Sequence, residues 1–98
     1  MTSYPLSICI PSNREYSNSR PAISSALNFC DLSSSQLVVS DNSDDIKKSN
    51  FWKSIKLDFF SYESNAPFDS SNNWYNAIKK SSGLYTGILS DDDLILNI

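Results

Sequence analysis

The chain has 98 residues, enough for one domain (1–98) that buries about two-thirds of its unfolded surface. A net charge of −3 speaks against a nucleic-acid partner, which needs a basic face, and the absence of histidine excludes His-based triads, shuttles and zinc sites. No apolar run approaches the ~20 residues of a membrane span, and no signal peptide is visible at Met1–Pro5.

The first element is Leu6–Ile10, a short β-branched run that Pro11 is expected to stop, because proline donates nothing to a ladder. Ser12–Glu15 then reads as a loop. Ile23, Ala26, Leu27 and Cys30 fall at helical spacing, with Pro21 suited to the first helical turn. Cys9 and Cys30 read as packed thiols, and two cysteines make no metal framework. With no Asn-X-Ser/Thr acceptor site either, a reducing, cytoplasmic setting fits best.

The second strand, Gln36–Ser40, runs into the acidic turn Asp41–Asp45, which can cap a short helix through Ile46, Lys47 and Lys48. Asn50–Trp52 reads as a covered connection and Ile55–Tyr62 as the third strand, followed by a loop at Glu63–Pro67. Ser71 opens a helix in which Trp74, Ala77 and Ile78 share a face, core by default, and Gly83 takes its C-cap. The last strand, Leu84–Leu89, reads as buried and delivers Ser90-Asp91-Asp92-Asp93.

The order β-α-β-α-β-α-β predicts an α/β fold, a Rossmann-like parallel sheet with right-handed crossovers and helices on both faces. In such sheets the ligand lies beyond the carboxyl ends of the strands. Those ends carry Pro11-Ser12-Asn13, Asp41-Asn42, Glu63–Asn65 and Ser90–Asp93, so Asp41 and Asp91-Asp92 converge on one expected crevice. Neither a Gly-X-Gly-X-X-Gly turn nor a P-loop is present, so a diphosphate held here calls for a cation. Three adjacent carboxylates can supply Mn²⁺ or Mg²⁺ with hard oxygen ligands, whereas a triplet taken alone is a solvated acidic turn. For Asp41 the plainer reading is a helix cap.

Four stretches in register resemble the family 2 glycosyltransferases of GT-A fold: Leu6–Ser12, Val38–Ser43, Asn73-Trp74 through Ala77-Ile78, and Gly83 through Ile95 with its acidic triplet. The likeness covers nearly the whole chain. It implies a nucleotide-sugar donor, a UDP-sugar above all, with Pro11, Ser12 and Asp41 at the base. It also implies that Asp91 takes the ribose or the outer metal position, while Asp92 ligates Mn²⁺ or Mg²⁺ with Asp93 in support. Glu63 and Asn65 are weaker candidates for lining. Asn13 stands where many relatives have an aromatic, one residue before Arg14, and Ser90 stands where many have a carboxylate.

Relatives continue well past this point with an acceptor site and a carboxylate base, neither of which Asp93 replaces. The expectation is therefore a donor-binding half with its catalytic base unknown; the alternative is an inactive nucleotide- or cation-binding module or a truncated remnant. A central first strand with the fourth beside it also predicts a homodimer, through the fourth strand's edge or the apolar tail Leu94–Ile98. Repulsion between acidic triplets favours the tail side.

Overall fold

The computed structural model describes residues 4–65 and 69–95. Strands β1 (Leu6–Ser12), β2 (Gln36–Asp41), β3 (Phe60–Ser64) and β4 (Tyr85–Ile88) alternate with helices α1 (Tyr16–Ser33), α2 (Ile46–Lys53) and α3 (Ser70–Lys80). The sheet order is β3-β2-β1-β4 and every pairing is parallel, a Rossmann-like α/β arrangement. No helix among the described residues is long and apolar enough to cross a membrane.

Strand alternation sorts the core into two layers. Ile8, Ile10, Leu37, Val39 and Phe60 face α1 and α2, meeting Ile23, Ala26, Cys30 and Trp52. On the other face Cys9 and Val38 meet Ala77 of α3. Both cysteines are buried thiols, and burial pushes the Cys30 thiol up to about 11 and raises that of Cys9 too, so both stay protonated.

Several element bounds differ from the sequence reading. β1 continues through Pro11, which is in register with Ser40 of β2. Leu89 donates to the Cys9 carbonyl (2.9 Å), so alternation turns the nitrogens of Cys9 and Pro11 toward β4. β4 has left the sheet by Pro11, and the missing N–H costs no ladder bond. α1 begins at Tyr16, which places the exposed Pro21 inside it, and Glu15 offers no side-chain cap. The cap comes from a distance: Asp45 Oδ2 accepts from Tyr16 N (2.7 Å) while its Oδ1 accepts from Lys48 N (3.2 Å). One carboxylate thus closes the N-termini of both α1 and α2, and Asp45, not Asp41, is the cap.

α2 takes in the stretch expected as a connection, burying Lys48 and Trp52, which sit four apart. β3 starts at Phe60, and Ile55 and Leu57 lie in the preceding link. Asp69 caps α3, which starts at Ser70, one residue ahead of the expected Ser71. Its buried residues are Asn73 and Ala77, whereas Trp74 and Ile78 are 45% and 42% exposed. β4 is exposed, not buried, and among the described residues it is the last strand of the sheet on that side. Of the tail, residues 96–98 lie outside the described residues, as does the loop at 66–68.

Gly83 does not cap α3, which ends at Ser81 in extended backbone. Its small size serves packing, since a Cβ there would lie 2.6 Å from Ser7 N and 2.8 Å from the Leu6 carbonyl carbon. Gly83 N–H also donates to Ser7 Oγ (2.8 Å). Gly83→Ala is expected to cost about 1–3 kcal/mol, measurable by urea denaturation, because the backbone of Leu6 and Ser7 would have to shift along with Ser7 Oγ to admit the added methyl.

The Asp45 clasp makes a pH prediction. The hydrogen bonds from Tyr16 N and Lys48 N hold its carboxyl below its ordinary value of 3.8. A depressed folded-state value contributes stability that is complete above about pH 4 and is lost as pH falls through that lower value. Asp45→Ala is expected to melt at lower temperature than the parent at neutral pH. The gap should close progressively below pH 3.8, followed by circular dichroism.

Candidate functional site

The carboxyl ends of the strands hold a continuous polar belt. Lys48 is fully buried and donates to Ser12 Oγ (2.5 Å), the Arg14 carbonyl (2.6 Å) and Asp41 Oδ1 (3.0 Å). All three ammonium protons are used, the condition under which a buried cation is tolerable. Asp41 is equally buried; its carboxylate also accepts from Ser43 N (2.9 Å) and from the Tyr62 hydroxyl of β3. Burial and the Asp41 carboxylate raise the Tyr62 phenol well above its ordinary range, so it stays a donor.

Ser12 passes the network to the acidic triplet by donating to Asp91 Oδ2 (2.8 Å). The same oxygen accepts from Asn13 N (2.9 Å) and Arg14 N (3.0 Å), while the Arg14 guanidinium lies 3.3 Å from Asp91 Oδ1. Asp91 is therefore a buried clasp on the loop after β1. Asp92 is half-exposed and meets Ser90 Oγ (2.5 Å) and Arg14 Nη2 (3.1 Å). Those two partners, the serine first, hold its carboxyl below the usual carboxylate value. Asp93 is exposed.

On the α3 side of the sheet, Ser40 donates to Asn73 Oδ1 (2.8 Å) and accepts from Asn76 (2.9 Å) and Asn65. Asn73 in turn donates to the Ser12 carbonyl (3.2 Å). Glu63 accepts from Asn76 (3.3 Å) and pairs with Lys80 (2.7 Å) at the surface. Asn65 and Glu63 thus stand in this second cluster.

Above the belt lies a crevice of about 230 Å³. Pro11, Asn13 and Arg14 form one wall, Asn42 follows β2, Asn73 and Trp74 come from the start of α3, and Ser90 and Asp91 close it. A hollow of about 440 Å³ between α2 and β3 is larger, but no carboxylate lines it. The crevice is the hollow in which polar and charged residues following β1, β2 and β4 meet. Of the expected residues it takes in Pro11 and Asp91. Ser12 and Asp41 lie within the belt beneath, and Asp92 and Asp93 stand in the chain just beyond its edge.

Among the described residues no group of three or more Cys, Asp or Glu side chains is arranged to hold a metal ion. Asp41 and Asp91 are occupied by internal donors, and both oxygens of Asp92 also meet donors, Ser90 Oγ and Arg14 Nη2, which a cation at Asp92 and Asp93 would have to displace. One or two carboxylates with substrate oxygens and water are enough for Mg²⁺.

The sequence reading missed Lys48, Arg14 and Tyr62. For Lys48 a signal existed in its four-residue spacing from Trp52, which places both on one helical face. Comparisons of the chain with family models, curated proteins and solved structures find no match.

Lys48→Met would strand Asp41 as a buried, half-satisfied charge and is expected to cost about 3–5 kcal/mol in urea unfolding. The double variant Lys48→Met/Asp41→Asn should lose less than the sum of the singles, the mark of direct coupling.

Proposed function

We propose that this chain is the donor-binding part of a glycosyltransferase resembling family 2, taking a nucleoside-diphosphate sugar, a UDP-sugar first, in the crevice at the carboxyl ends of β1, β2 and β4. The observation that carries the reading is the crevice's position at the ends of a parallel sheet, walled by residues that follow three strands. Pro11 and Trp74 give it apolar surface for a planar base, and Asn13 and Asn42 give it amide groups. Asp92 and Asp93 would hold Mn²⁺ or Mg²⁺. When bound, that ion neutralises the diphosphate and so favours its departure. The chain's own part is to fix the loop after β1: Asp91 gathers Ser12, Asn13 and Arg14 onto one carboxylate, so the wall of the crevice is set before a ligand arrives.

A second reading, a nucleotide-binding module without catalysis, is favoured by the internal occupation of Asp41 and Asp91, which leaves neither as a base. The proposal also includes self-association as a homodimer.

Calorimetric titration of UDP tests the donor site. Binding is expected with Mn²⁺, weaker by about tenfold or more (about 1.4 kcal/mol) with chelator or in Asp92→Asn. Affinity indifferent to both would remove Asp92 from the reading. Incubation of the 98-residue chain with UDP-sugars, Mn²⁺ and acceptors, read by mass spectrometry, is expected to give no glycoside, since Asp41 and Asp91 are internally occupied and leave no base; efficient product would overturn the assignment of a donor-binding part alone.

A further inference from the structure

Arg14 is the one cationic side chain that lines the crevice among the described residues. Its backbone is pinned on both sides: the N–H donates to Asp91 Oδ2 (3.0 Å) and the carbonyl accepts from Lys48 (2.6 Å). The side chain itself is 47% exposed and divides its guanidinium between two carboxylates. Nε lies 3.3 Å from Asp91 Oδ1, and Nη2 donates to Asp92 Oδ2 (3.1 Å).

Those two partners hold it unequally. Asp91 is buried, so its contact with Nε is little screened, and it keeps the guanidinium at the crevice wall. The Asp92 side chain is 49% exposed, and an ion pair between two half-exposed groups contributes little because water screens it. Opening the contact between Arg14 and Asp92 is therefore cheap.

Charge decides what makes it open. Asp91, Asp92 and Asp93 outweigh Arg14, so this end of the crevice is net negative and repels a phosphate that arrives alone. A divalent cation at Asp92 and Asp93 cancels the excess, but Arg14 Nη2 and Ser90 Oγ must first vacate Asp92. A guanidinium so released needs another anion, and its planar fork suits a phosphate through two parallel N–H···O bonds. Each ligand thus removes the obstacle to the other.

We infer that Arg14 is the phosphate-binding side chain of the crevice and that it exchanges partners, leaving Asp92 for the ligand's phosphate as a divalent cation takes the carboxylate. Metal and phosphate are then coupled through one side chain, each binding more tightly in the presence of the other. Resting on the donor-site reading of the crevice, the exchange names the group that receives the diphosphate.

Two titrations of the 98-residue chain, neither using a nucleotide, test it. With Mn²⁺ alone, followed by electron paramagnetic resonance, Arg14→Gln is expected to bind about two- to fivefold more tightly than the parent, since an exposed competitor is gone. With pyrophosphate and Mn²⁺ together, followed by calorimetry, the same variant is expected to bind about tenfold or more weakly. Arg14→Lys, which keeps the charge but lacks the fork, should fall between. Circular dichroism should be unchanged in both variants. A merely structural role would weaken both titrations and overturn the exchange, as would full pyrophosphate affinity in Arg14→Lys. UDP bound no more tightly than pyrophosphate would remove the nucleoside from the donor reading while the opposed shifts still support Arg14. UDP binding that needs Mn²⁺ and Asp92 but ignores Arg14→Gln would keep the donor site and overturn this role. No pyrophosphate binding by the parent, with or without Mn²⁺, would overturn both.

Discussion

The fold depends on one buried ammonium. Lys48 sits where β1, β2 and α2 meet, and taking such a group out of water costs several kcal/mol unless every proton finds an acceptor. Here the acceptors are Ser12 of β1, the carbonyl of Arg14 beyond it, and Asp41 of β2. A charge so placed ties the elements to one geometry, because a shift of any of them leaves it uncompensated. The order extends outward from there: Tyr62 of β3 follows through Asp41, and Asp91 after β4 follows through Ser12. All four strand ends are therefore set by hydrogen bonds that begin at one side chain.

That arrangement divides the carboxyl end of the sheet between stability and recognition. Groups directed toward α1 and α2 are spent on one another: Asp41 and Lys48 are fully buried, and the Tyr62 hydroxyl is taken up by Asp41. Groups on the α3 side remain available, with Pro11, Asn13 and Trp74 walling the crevice and Arg14 half-exposed against Asp91 and Asp92. The loop after β1 belongs to both halves. Its backbone is held from below by Lys48 and Asp91, and its side chains face the crevice.

The parallel sheet was legible because each strand is a short apolar run and each helix carries periodic apolar residues. Ile8, Ile10, Leu37 and Val39 declare their face by alternation alone. What the sequence hid were effects that arrive through space. α1 begins at Tyr16 because a carboxylate 29 residues away accepts its first N–H, and no local pattern shows that. Pro11 looked like a stop because its missing donor is costly only where a partner strand continues, and β4 does not. Trp74 looked like core because its spacing is helical, yet α3 buries Asn73 and Ala77 instead, the amide being drawn in by Ser40 and the Ser12 carbonyl. Asp41 and the triplet do stand at strand ends, but Asp41, expected at the nucleotide base, is buried against a lysine.

The two edges of the sheet are also treated differently. Beside β3 stand the Glu63–Lys80 pair and the α2 link, with Lys53 and Lys56 at the surface, charges of the kind that discourage strand addition. β4 has none of these, and it lies next to the crevice rather than across the sheet from it. The crevice thus forms on the side of the sheet whose outer strand carries no charge of its own.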